Sequence, residues 1–247
     1  MKHLSRIDIE VIAEKIIKAY RELPEVKNKK IYRIEPELLL TKLLGLKIEY
    51  QHLSLDGSIL GMTSFQEIGV EVFDEADTDT FFFLDGKTVL VEKDLQQDSG
   101  QRGRFNFTTM HEGSHQIFKM LYPNDYGVRN AEPVHFYKVN SERNKPISDW
   151  EEWQANTLAS AILLPKDLVL QGMFLFDLGE KIKCLNKVHY PVVYDKFSAL
   201  ADFLGCSKTA LAIRMKKLGL LEQEYLDNTP ARDTPVPHRS SPDRDTL

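Results

Sequence analysis

The five residues His111-Glu112-Gly113-Ser114-His115 constrain this chain more than any other stretch. They form an H-E-x-x-H pattern. On an α-helix, residues four apart lie one above the other on one face. His111 and His115 can therefore present two imidazole nitrogens to a single metal ion, with Glu112 beside them to take a proton from water at that ion. Two histidine ligands, an open coordination position and a carboxylate base are the parts of a zinc-peptidase site. Phe107, Met110, Ile117, Phe118 and Leu121 supply apolar residues at the spacing a buried helix requires. A plainer reading competes: two packed histidines on a helix whose N-terminus is capped by a Thr109-x-x-Glu112 box. Gly113 suits a helix interior poorly, at ~1 kcal/mol relative to alanine.

A zinc site of this kind needs a third protein ligand. Position 121 is Leu, which excludes the extended motif with a third histidine six residues beyond His115. Asp125, in Pro-Asn-Asp-Tyr-Gly, and His135 are donors within reach. Two neighbouring acids, Glu151 and Glu152, open a predicted helix over 150–164 and compete for the role. Glu152 shares a stripe with Asn156, Ala159 and Leu163; Glu151 shares one with Ala155, Leu158 and Ile162. A carboxylate on an apolar stripe must be paired or coordinate something, and periodicity does not choose between the two.

The rest of the chain reads as an α+β protein. Ser5-x-x-Asp8 caps an amphipathic helix that ends near Pro24, and a second helix runs from Pro36 to a Gly45 cap. Strands are expected over 47–53, 59–65, 68–73, 81–84 and 88–91, forming a small, mostly antiparallel sheet. Asp85-Gly86 is the turn signal of a hairpin between the last two. The acidic stretch 74–79 reads as an exposed loop. The long polar segment 123–148 reads as an irregular flap over the metal, with Tyr137 and His135 as candidate oxyanion donors. A shorter helical stretch is expected over 166–176. Helices over 194–204 and 207–218, joined at Gly205-Cys206 with Ser207 as a cap, resemble a helix-turn-helix. The expected division is a metallopeptidase domain over 1–190, a helical extension over 191–221 packed on it, and a disordered tail over 222–247.

Charge narrows the classes. The chain has 247 residues and a net charge of −5, with both signs interspersed, which argues against a polybasic membrane binder or a nucleic-acid coat protein. Its two cysteines, Cys184 and Cys206, make neither a disulfide framework nor a cysteine zinc site. The N-terminus lacks the apolar core of a signal peptide, and no run of about 18 apolar residues exists to span a membrane. A cytoplasmic location is the expectation.

Two blocks carry a resemblance. Residues 103–115, GRFNFTTMHEGSH, and 152–165, EWQANTLASAILLP, resemble the G-R-x-x-F-T-x-x-H-E-x-x-H and E-x-x-A-N-x-F-A-x-x-L-L-x-P segments of the ImmA/IrrE family of metallo-endopeptidases. The segment 197–221 is similar to one that commonly follows that core. The resemblance covers most of the chain from about 88 to 221. It implies a zincin-like fold of the gluzincin type, one zinc per chain held by His111, His115 and Glu152, and Glu112 as catalytic acid/base. Asn156 matches a position that can hydrogen-bond a ligand histidine. Gly113 stands where the family usually has an aliphatic residue, Leu158 where it has phenylalanine, and the segment between His115 and Glu152 is long. The implied substrate is a protein, typically a repressor-type transcriptional regulator encoded nearby, often on a mobile element. Two other classes compete: a DNA-associated regulator with a structural or sensory zinc, and a protein-interaction module on a degenerate peptidase fold. Direct nucleic-acid binding by the C-terminal helix pair is not favoured, because basic residues are not clustered elsewhere.

Overall fold

Ser5 opens the first helix, α1 (Arg6–Arg21), through the expected capping box: its side chain accepts from the Asp8 amide, and the Asp8 carboxylate accepts from the Ser5 amide. The computed structural model describes residues 3–73, 79–126, 134–138 and 150–225. After α1, the turn α2 (Pro36–Leu38) continues as a wider π-helical segment, Leu39–Leu43. Then come β1 (Lys47–Gln51), β2 (Ile59–Ser64), β3 (Glu67–Phe73), β4 (Asp79–Asp85) and β5 (Thr88–Glu92). The short α3 (Lys93–Gln97) and a 3-10 turn lead into α4 (Arg102–Leu121), which carries the H-E-x-x-H pattern. The strand β6 (Val134–Lys138) precedes α5 (Trp150–Leu163) and α6 (Lys166–Leu175); β7 (Ile182–Asn186), α7 (Pro191–Leu204), α8 (Lys208–Lys217) and β8 (Leu221–Tyr225) are the remaining elements among the described residues.

The fold class is α+β. A four-stranded sheet has the order β1-β5-β2-β6, with β1 and β5 parallel and the other two pairings antiparallel. Strands β3 and β4 form a separate antiparallel ribbon, and β7 and β8 a parallel pair. Side-chain alternation along a strand gives the main sheet two different faces. Leu60, Val89 and Val91 join the large core with the helices, while Met62, Leu90 and Val134 meet Val70, Val72 and Leu84 of the ribbon in a second, smaller one. In the large core α4 lies against α5 and α5 against α1, with β2, β5 and β6 on the other side of α4.

Four expectations change. Asp85-Gly86 does not close a hairpin between β4 and β5: β4 pairs only with β3, and β5 crosses to the main sheet. The Asp85 carboxylate holds this crossover instead, accepting from the Lys87 amide at 2.9 Å, Thr88 Oγ1 at 2.8 Å and Lys47 Nζ at 2.7 Å. Residues 134–138, expected inside an irregular flap, form the sheet edge strand β6; pairing with β2 supplies the order that their own sequence does not announce. Residues 222–225, expected in the tail, belong to β8, which β7 templates. Finally, α4 begins at Arg102, two turns earlier than a Thr109 cap requires. Thr109 and Glu112 are both buried mid-helix, with Thr109 Oγ1 donating to the Phe105 carbonyl at 2.9 Å, so the capping-box reading fails. The acidic loop over 74–78, the remainder of the expected flap and the tail beyond 225 lie outside the described residues. Among the described residues no single helix is long and apolar enough to cross a membrane.

Candidate metal centre

The two histidines project from α4 toward α5, where Glu152 meets them. His111 Nε2 lies 3.2 Å from His115 Nε2 and 3.2 Å from Glu152 Oε2; His115 Nε2 lies 3.1 Å from Glu152 Oε1. Both histidines are fully buried, whereas the Glu152 side chain is 31% exposed. Zinc–nitrogen bonds are about 2.0–2.1 Å long, and the edge of a tetrahedron that size is roughly 3.3 Å. The two nitrogens span such an edge, and each lies a similar distance from one of the two Glu152 oxygens, so the three side chains converge at the spacing of ligands around one ion. Two buried imidazoles and a half-buried carboxylate at this mutual distance fit a cation between them.

Protonation in the metal-free protein suits the same purpose. Burial drives the His115 pKa down to about 4, so its ring is neutral at pH 7. Burial would raise Glu152, but the attraction of His115 when that ring is protonated, with hydrogen bonds from His111, His115 and His135, outweighs it and moves the carboxyl well below the usual range, so a proton taken up by this pair sits on the histidine and leaves the carboxylate ionised. Metal ligands must be deprotonated in this way.

Glu112 lies apart from the donors. It is fully buried, and among the described residues neither carboxylate oxygen has a hydrogen-bond partner. Burial, and then the charge of Glu152, push its pKa well above the ordinary value; the Tyr137 amide opposes them without reaching hydrogen-bond geometry. A cation at the histidines would draw this carboxyl back toward ionisation.

The site depends on close approach between backbones. A Cβ at Gly61 in β2 would come within 2.6 Å of Thr108 Cγ2 and 2.9 Å of Glu112 Oε1. Only glycine lets the strand lie over the carboxylate. A Cβ at Gly113 would come within 2.7 Å of Leu40, itself fully buried. The glycine that lowers helix propensity is what admits the π-helical segment against α4.

Of the other expected residues, His135 and Tyr137 do reach the centre. They share the α4-facing side of β6. The His135 ring stacks on His115 at 4.4 Å between centroids, with Nδ1 3.8 Å from Glu152 Oε1, and the Tyr137 ring lies 4.5 Å from His111. Asp125 points to solvent and Glu151 is buried outside the donor group. Asn156 makes no hydrogen bond to either histidine among the described residues. Sequence reasoning missed Tyr126, whose hydroxyl lies 3.4 Å from His115 Nδ1 and donates to the Glu151 carbonyl at 3.1 Å. It also missed Gly61, although a glycine inside a strand pattern signals close approach.

A second group, His52, Glu92 and Asp94, also brings donor atoms within 4.8 Å of one another. Its central members are already engaged: His52 Nδ1 lies 2.9 Å from Glu92 Oε1, and Glu92 Oε2 accepts from the Leu53 amide at 2.8 Å. A cavity of about 650 Å³ lies on the opposite face of the sheet among Met62, Ile68, Val134 and Phe136, and none of the three convergent donors lines it.

What fold and site define together is a class: an α+β protein with two buried histidines and a half-buried glutamate converging from two adjacent helices, and beside them a carboxylate without a hydrogen-bond partner among the described residues. Comparison of the chain with protein-family models and with curated proteins found no match, so the geometry itself bears on function.

Proposed function

We propose that the protein is a zinc-dependent endopeptidase acting on a protein substrate. The observation that carries this reading is the convergence of His111 Nε2, His115 Nε2 and the Glu152 carboxylate, with the Glu112 carboxylate buried and unpartnered beside them. A donor set of two imidazoles and one carboxylate suits zinc. Zinc held there would supply Lewis acidity, polarising a scissile carbonyl and lowering the pKa of water toward neutrality. Glu112 accepts a proton from the attacking water at its carboxylate and delivers it to the leaving nitrogen. Neutral His115 and ionised Glu152 present lone pairs inward. Tyr137 and His135, on the neighbouring face of β6, are the proposed donors to the developing oxyanion. The zincin-like fold, and a repressor-type regulator as substrate, follow from the resemblance to the ImmA/IrrE family.

The DNA-associated alternative draws no support from α8. Its Arg214 turns inward, 2% exposed, onto Glu10 and the Leu164 carbonyl, and Lys216 pairs with Glu224 at 3.1 Å.

The test is cleavage of a repressor-type regulator, encoded beside this protein, by zinc-loaded enzyme, chelated enzyme and the Glu112→Gln variant. Chelation should abolish cleavage. Glu112→Gln should keep its metal and lose about 10²–10⁴-fold in rate. Cleavage by Glu112→Gln at the wild-type rate would overturn the assignment.

A further inference from the structure

We propose that Tyr126 is a positioning residue for the metal centre: its hydroxyl holds His115 as the Nδ1–H tautomer and ties that ring to the first turn of α5. This deepens the metal-site reading and rests on it.

Tyr126 is 1% exposed and follows α4 in a tight turn, with its amide donating to the Tyr122 carbonyl at 3.0 Å. Lys119 Nζ fastens the same turn, donating to the Pro123 carbonyl at 3.0 Å and the Tyr126 carbonyl at 3.3 Å. The ring stacks on Phe118, with centroids 5.2 Å apart, and meets Phe65 edge-on at 6.0 Å. Phenylalanine would make all of these ring contacts, so packing does not account for the hydroxyl. A tyrosine buried this deeply needs a partner for its polar tip, and here that tip lies between two helices. It is 3.1 Å from the Glu151 carbonyl, which can only accept, so the hydroxyl proton is directed there. The hydroxyl oxygen, 3.4 Å from His115 Nδ1, is then left to accept from an Nδ1–H. A ring carrying its hydrogen on Nδ1 keeps its lone pair on Nε2, the nitrogen that faces His111 and Glu152.

The carbonyl at the other end belongs to the residue before Glu152. One hydroxyl therefore spans two ligands, orienting His115 directly and holding the backbone from which Glu152 projects. Among the described residues His111 has no such support, since none of them partners its buried Nδ1. Its ring is held by packing on Tyr137 and Phe107. The two histidines are thus unequal, and His115 is the one with a fixed orientation.

Tyr126→Phe removes the hydroxyl and keeps the ring. Zinc affinity, measured by competition with a chromophoric chelator, should fall about 10–100-fold. The absorption bands of the cobalt-substituted variant should shift, which loosened packing alone would not cause. Unchanged affinity together with an unchanged cobalt spectrum would overturn the proposal. A measurement on the unaltered protein covers a variant that folds badly. Long-range ¹H–¹⁵N spectra of the zinc-loaded wild type should show the His115 proton on Nδ1; a proton on Nε2 would overturn the proposal independently. Wild-type protein that takes up no zinc would overturn the metal-site reading and this inference together. Zinc-binding wild type with an indifferent Tyr126→Phe would sink only the inference.

Discussion

Glu112 and His115 are buried side by side in opposite electrostatic situations, and their pH dependence separates them. The folded protein holds His115 near pKa 4, against about 6.5 in the unfolded chain. Between those values the unfolded chain binds the additional proton, so this histidine's contribution is complete above pH 6.5 and is lost as pH falls toward 4. Glu112 has the opposite sign: its raised pKa stabilises the fold below the unfolded value of 4.5, and that contribution is lost as pH rises through the folded pKa. Metal-free Glu112→Gln should therefore gain about 2–3 kcal/mol between pH 4.5 and 6.5 in urea unfolding, and adding His115→Gln should flatten that rise. If the two profiles run parallel, His115 is not buried as described. At this scale His111, Glu112 and His115 were legible as candidates because a single helix carries all three at the i, i+4 spacing that a metal site uses. Choosing Glu152 over Glu151 was not legible from periodicity, since both lie on apolar stripes. The choice comes from how α5 is rotated against α4, a long-range packing outcome. The role of Tyr126 was hidden for the same reason: its neighbour Asp125 looked like the donor, and the turn points the tyrosine inward instead.

Helices and strands meet here with little clearance, and two glycines set the spacing. Gly61→Ala would drive a methyl group into Thr108 and Glu112 beneath β2. Overpacking of that kind costs about 1–3 kcal/mol, and part of it should appear as a displaced Glu112. The expected result is a loss of kcat/KM of at least about tenfold, with zinc content unchanged; undiminished kcat/KM would show that β2 does not press on the carboxylate. Gly113→Ala sets a helix-propensity gain of ~1 kcal/mol against collision with buried Leu40. It should lower stability by about 1 kcal/mol, read from the denaturant midpoint. The helices were legible as elements, because apolar periodicity and the Ser5 and Ser207 caps are local signals. The partners of the strands were not. The Asp85-Gly86 turn looks like a hairpin locally, yet it joins two sheets, and β6 acquires its strand character only from β2.

Across the molecule, one arginine ties α1 and α8 to the end of α5. Arg214 of α8 pairs with Glu10 of α1 and donates from Nε to the Leu164 carbonyl just beyond α5, at 2.9 Å. The Glu10 side chain is 39% exposed, so its charge is not stranded when the arginine is lost. Arg214→Ala should then cost about 2–3 kcal/mol, at or below the low end for a buried pair, and leave zinc affinity unchanged. A large fall in zinc affinity would mean that α8 shapes the centre as well as supporting α5. The account as a whole stands on His111, His115 and Glu152 holding one ion, and the most direct measurement is the zinc content of purified wild-type protein beside His115→Ala and Glu152→Ala. About one zinc per chain in the wild type, lost or strongly weakened in both variants, is the predicted result. No zinc in the wild type, or zinc undisturbed by Glu152→Ala, would contradict it.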